Sequence, residues 1–162
     1  MAISLPSALT SANLQSALGG VASTTFQPEI RTTKTITFTG AANLGAIGNV
    51  PIFTVSGTVF VRAFIPTVTT TLDTTGSPTI ALGTTNKTTL FLAATATSNL
   101  TTSNNIWLAT TATTSGLALP AALLNIVVAD NIVGTVATHA IGSGAIDFDI
   151  LWVPFSSGAT LS

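Results

Sequence analysis

With 162 residues, a net charge of −1 and neither Cys nor Tyr, this chain excludes several classes of protein before any motif is read. No disulfide, thiolate nucleophile or Cys-ligated metal site is available, and four scattered cations, Arg31, Lys34, Arg62 and Lys87, give no basic stripe for nucleic acid. Charged residues make up 6% of the chain against about 25% in an ordinary soluble domain.

On the roughly 7,500 Å² that a folded monomer of this mass exposes, nine charges leave about one per 800 Å². Two things fill the gap: uncharged polar side chains, with Thr alone about a fifth of the sequence, and surface hidden against other subunits. Mean hydropathy is +0.66, so a membrane protein is the competing explanation. The longest apolar run, residues 117–129, is broken by Pro120 and Asn125 and is shorter than the roughly 18 residues of a helical span. A porin-type barrel calls for an aromatic girdle, and the sequence shows no such rhythm. No membrane partner is expected.

In chain order, residues 1–30 form an N-terminal arm. Within it residues 4–20 predict one short helix, capped by Thr10 or Ser11 and stopped by Gly19 and Gly20, with Leu14 and Leu18 four apart on one stripe. No Lys or Arg precedes Arg31, so a secretory leader is not expected and the protein is expected to mature inside the cell that makes it. Pro28 marks entry to the main domain, residues 31–162.

Strand signals are dense from Arg31 onward. Residues 33–39 alternate, with Lys34, Ile36 and Phe38 on one face and Thr35, Thr37 and Thr39 on the other. Residues 52–55 and 58–65 are β-branched and aromatic, and Ser56-Gly57 between them predicts a tight hairpin. Residues 67–72 lead to a turn at Asp73-Thr74-Thr75-Gly76. Strands are expected at 79–82, 88–95 and 106–111, the last carrying Trp107. Residues 117–125 fit a helical turn or a strand, and strands at 126–128, 132–138 and 145–154 complete the set. Eight to ten short strands separated by Gly, Pro, Asn and Ser predict an all-β fold, a β-sandwich or jelly-roll-like domain behind the arm.

Candidate chemistry is sparse. His139 is the single histidine. A Ser-His-Asp arrangement would need it beside a carboxylate such as Asp130 and an exposed Ser, yet no G-x-S-x-G elbow is present, and Gly142-Ser143-Gly144 reads as a loop between strands. His139 is expected to be structural or solvent-facing. Asp147 and Asp149 share a strand face, a pattern suited to paired acids or a hard cation. The reading preferred here is a solvated strand face paired with Arg31 or Arg62. No enzyme activity, metal or cofactor is expected.

Two segments carry a resemblance. Residues 34–48 (KTITFTGAANLGAIG) leading into 51–62 (PIFTVSGTVFVR), together with 144–154 (GAIDFDILWVP), resemble small proteins encoded among the head genes of tailed phages, similar to capsid decoration (cement) proteins. The resemblance implies a sandwich or jelly-roll protomer, commonly trimeric, bound to the major capsid protein on the outer surface of a virion assembled in the host cytoplasm. In that picture residues 1–27 are a strap toward a neighbour or the shell. Leu14, Leu18, Phe26 and Trp107 are interface candidates, while Trp107, Trp152, Phe60 and Phe64 are anchors for which the core is the preferred place. The alternative function is a head fibre or receptor-binding module for a host glycan, favoured if Trp107 lies exposed beside Asn104 and Asn105.

Overall fold

The computed structural model describes residues 28–101, 103–108, 112–113 and 118–162, without the side chains of 112 and 113. The expected arm helix and the candidates Leu14, Leu18 and Phe26 lie outside the described residues.

Among the described residues twelve strands follow one another: β1 (Ile30–Thr37), β2 (Gly48–Phe53), β3 (Val55–Ser56), β4 (Val59–Thr70), β5 (Thr79–Thr84), β6 (Leu92–Ala96), β7 (Asn105–Trp107), β8 (Ala112–Thr113), β9 (Leu124–Val128), β10 (Ile132–Ala137), β11 (Ala145–Pro154) and β12 (Thr160–Leu161). All pairings between them are antiparallel. One sheet runs β1-β11-β4-β7-β8, with β9 also on β4; the other runs β2-β10-β5-β6. Taking β1, β2, β4, β5, β6, β7, β10 and β11 as eight main strands, the first, eighth, third and sixth form one sheet. The second, seventh, fourth and fifth form the other. That interleaving is the connectivity of a jelly roll, two Greek keys wound together.

The core lies between the inner faces of the two sheets. Phe64 on β4 is its hub, with Phe148 of the same sheet at 6.1 Å between ring centroids and Phe53 of the other sheet at 6.2 Å. Phe91, entering β6, meets Phe64 edge-on at 5.0 Å, the arrangement that the ring quadrupoles favour. Strict alternation on β11 sends Ile146, Phe148, Ile150 and Trp152 inward, and the expected bounds of that strand match those found.

Three expectations are corrected. Ser56-Gly57 does not close a hairpin: Phe53 pairs with Ile132 in one sheet, whereas Val59 pairs with Pro154 and Val128 in the other. The chain crosses between sheets there. Thr54 exchanges two backbone bonds with Ser162, of 2.7 and 3.0 Å, β3 pairs with β12, and Gly57 turns with φ of +71° where a Cβ would strike Ser156 and Ala159. The segments expected separately at 58–65 and 67–72 are also joined, because β4 runs unbroken through Pro66. Pro66 falls between Ala63, the last residue paired to β9, and Thr67, the first paired to β7. No strand needs a donor on that flank, so its missing N–H costs no ladder bond.

Finally, residues 88–91 are not strand. The chain folds back over Gly83, where a Cβ would collide with the backbone of Lys87 and Thr88, and Thr84 N–H donates to the Lys87 carbonyl at 2.9 Å. The ambiguous segment 117–125 contains one 3₁₀ turn, Ala121–Leu123, that feeds directly into β9.

Candidate interaction surface

Trp107 takes the core place preferred for it and not the interface alternative. It is 0% exposed, and its indole N–H donates to Thr95 Oγ1 at 3.0 Å across the sandwich. It therefore offers no surface to a partner, although Asn104 and Asn105 are adjacent in sequence. The cause is alternation on β7: Asn105 stands opposite inward Val68, and Trp107, two residues on, turns to the same side toward Thr95 of β6. Phe64 and Trp152 are core residues as well, the latter donating its indole N–H to Thr32 Oγ1 at 3.0 Å. Of the four proposed anchors only Phe60 faces outward, half-buried.

The carboxylate pair has the structure expected of a solvated strand face. Register sets Thr33 opposite Asp149 and Thr35 opposite Asp147. Arg31 Nε donates to Asp149 Oδ1 at 2.7 Å and its Nη2 engages the other oxygen, a two-pronged pair. Thr33 Oγ1 also donates to Asp149 at 2.7 Å, and Thr35 Oγ1 to Asp147 at 2.6 Å. The Arg31 guanidinium and the Thr33 hydroxyl hold the Asp149 carboxyl below the usual carboxylate range, against a smaller opposing push from burial. Both acids are thus engaged with donors from β1. Among the described residues no group of three or more His, Asp or Glu is placed to hold a metal ion.

His139 is exposed in the loop between β10 and β11, its ring set against Gly76 and its Nδ1 3.2 Å from the Ala140 carbonyl oxygen. Asp130 uses its two oxygens on the backbone amides of Asn131 and Asn86, at 2.9 and 2.8 Å. Asp73 likewise receives the Thr75 amide at 2.9 Å and closes the expected turn. These carboxylates organise loops.

What the structure adds is a row that no local pattern in the sequence marks. On the outer face of the β1 sheet, Val153 stands opposite Phe60, and Phe60 opposite Val127. Val127 is 53% exposed, and Phe155, next outward along β11's alternation, is 69% exposed. Arg62 lies over Phe60 with its guanidinium carbon 5.5 Å from the ring centroid, and its Nε donates to Glu29 at 3.1 Å. Beside this row a shallow depression of about 160 Å³ is lined by Arg31, Ala63, Ile65, Asp149, Ile150 and Leu151. Pockets that enclose small ligands usually measure about 300–1,000 Å³, so this hollow suits contact with a surface better than capture of a molecule. Toward the opposite end of the same face the side chains become Thr33, Thr35, Thr37 and Thr67. A second exposed apolar pair, Leu44 and Ile47, sits on the loop between β1 and β2.

No protein-family model, curated protein or solved structure matches the chain. No helix among the described residues is long and apolar enough to cross a membrane.

Proposed function

We propose that this protein is a structural component of a virion, a capsid decoration (cement) protein that stabilises a phage head through contacts between subunits. The observation that carries the reading is the outward row Val153, Phe60, Val127 and Phe155 in a chain with nine charged side chains. Contiguous exposed apolar surface in a sparsely charged protein marks a place where another surface sits. The resemblance of residues 34–62 and 144–154 to phage head proteins supplies the setting, and a jelly roll is a fold used by viral capsid proteins, though also by lectins.

The physics of such a role needs no reactive group. A protein that binds an assembled shell more tightly than its separated parts stabilises the shell by that difference in binding free energy. Area and symmetry supply the binding, and a homotrimer on the major capsid protein would repeat the same outward row three times. The alternative, a fibre module gripping a glycan, loses the aromatic platform it called for, because Trp107 is enclosed in the core.

Quantifying the protein in purified virions is the direct test. Many copies distributed over the shell are expected; a few copies at one vertex would favour the fibre, and absence from virions would overturn both. Removing it from intact heads should lower the temperature at which they release DNA.

A further inference from the structure

We propose that the chain's own uncharged N-terminal segment, residues 1–27, covers the apolar end of the outer sheet face, with Phe26 as its nearest large anchor. The inference rests on where the described chain begins; it sets the segment between the row and any partner, so in the function proposed above segment and row together would make the contact. Ile30 pairs with Trp152, so Glu29 lies level with Val153, in the row that continues through Phe60 to Val127. Its side chain is on the outer side, since it meets Arg62 there at 3.1 Å. The segment upstream therefore departs from the margin of the one row that carries exposed Val and Phe.

Composition matches the site. Residues 1–27 contain no Asp, Glu, Lys or Arg, while Ile3, Leu5, Leu14, Leu18, Val21 and Phe26 supply apolar bulk. Laid on the Val153–Phe60–Val127 row, such a segment brings no charge of its own beside the Arg62–Glu29 pair already there. The threonine end of the face would be a poorer seat, because it offers hydroxyls and the Arg31–Asp149 pair in place of exposed Val and Phe. Reach is ample: crossing from β1 over β11 and β4 to β9 takes three strand spacings, about 15 Å, which about five extended residues span. Phe26 is three residues from Glu29, so it falls within range of Phe60. Tethering raises the local concentration of the segment at this face far above that of any free partner.

The chain has no Cys, so single cysteines report coverage cleanly. In the otherwise intact protein, Val127→Cys (or Phe155→Cys, should the first disturb β9) is to be compared with Thr37→Cys at the far end of the same face. The expected result is modification of Val127→Cys by a bulky maleimide at least about tenfold slower than Thr37→Cys. That protection should not change on dilution, and Phe26→Asp in the same chain should abolish it. Equal rates at the two ends overturn the proposal. So does protection that fades on dilution, which assigns the cover to a second copy, and so does protection indifferent to Phe26→Asp.

Discussion

The two sheets share a core but present unlike outer faces. Outside the β2 sheet the side chains are small and uncharged: Asn49 and Pro51 on β2, Val133, Thr135 and Ala137 on β10, and Ala81 and Gly83 on β5. Thr135 Oγ1 and Asn49 Oδ1 bond each other at 3.0 Å, and the chain's own loop at Lys87 and Thr88 closes over Gly83. This face is finished from within the domain. The β1 sheet instead shows Phe60, Val127, Val153 and Phe155 beside two ion pairs, Arg31–Asp149 and Arg62–Glu29. The contrast teaches that low overall charge has two distinct causes here. On one side, small uncharged side chains are buried, as Val133 and Ala81 are, or bond each other, as Thr135 and Asn49 do; on the other, apolar surface awaits a cover.

The comparison is broken most forcefully through what the sheets have in common. Phe64 is 0% exposed and touches aromatic rings from both sheets. Phe64→Ala should cost about 3–5 kcal/mol of unfolding free energy, the usual range for emptying a buried Phe site. Chemical denaturation would read it, and both outer faces should unfold together. A smaller, one-sided effect is expected from Gly83→Val. The new side chain would meet the Lys87 and Thr88 backbone, so the loop must lift away and about 1–3 kcal/mol of overpacking strain is expected. Amide exchange around residues 84–91 should rise while the Phe60–Val127 row is undisturbed. Gly134→Ala is the control, since its Cβ would find Ile80 at 3.4 Å, ordinary contact distance. On the other face Val127→Thr should shift stability by no more than about 0.5 kcal/mol, as half-exposed positions usually do. The same change should weaken whatever packs there, so stability and assembly should part company at this residue and not at Phe64.

Much of the fold was readable in the residues themselves, and the failures share one cause. The alternation of residues 145–154 fixed both the bounds and the inward set of β11, and Asp73-Thr74-Thr75-Gly76 announced its turn, because side chain and backbone chemistry within a few residues decide such features. Ser56-Gly57 carried an equally good hairpin signal, but its strand partner arrives from Thr160 and Leu161 at the other end of the chain. Residues 58–65 and 67–72 read as separate segments for the same reason: whether the missing donor of Pro66 matters depends on which strands flank it. Of the candidate surface, the Arg31–Asp149 pairing was legible from charge and alternation. Trp107, offered both as interface candidate and as core anchor, takes the preferred core place, and its partner there, Thr95 of the opposite sheet, was not legible locally. The apolar row needed registers among residues 60, 127 and 153, and no periodicity within one segment encodes those.

The smallest effect concerns the polar end of the same face and is a matter of sign. Asp149, held by Arg31 and Thr33, and Asp73, held chiefly by the Thr75 amide with help from Gly142, both have carboxyl groups below their ordinary range. The folded protein therefore binds their protons less readily than the unfolded chain does. Their contribution to stability is fully present above the unfolded carboxylate value, near 4, and is lost as pH falls through the lower folded values. Denaturation midpoints should accordingly lose this contribution only in acid, below about pH 4. Because the Arg31–Asp149 pair is solvent-accessible, the change should be modest and weaker in high salt. Arg31→Met separates the two acids: it should remove the part of the acid sensitivity that arises at Asp149 and leave the part set by backbone amides at Asp73. An acid profile unchanged by Arg31→Met would mean that the pair orients β1 against β11 without stabilising it.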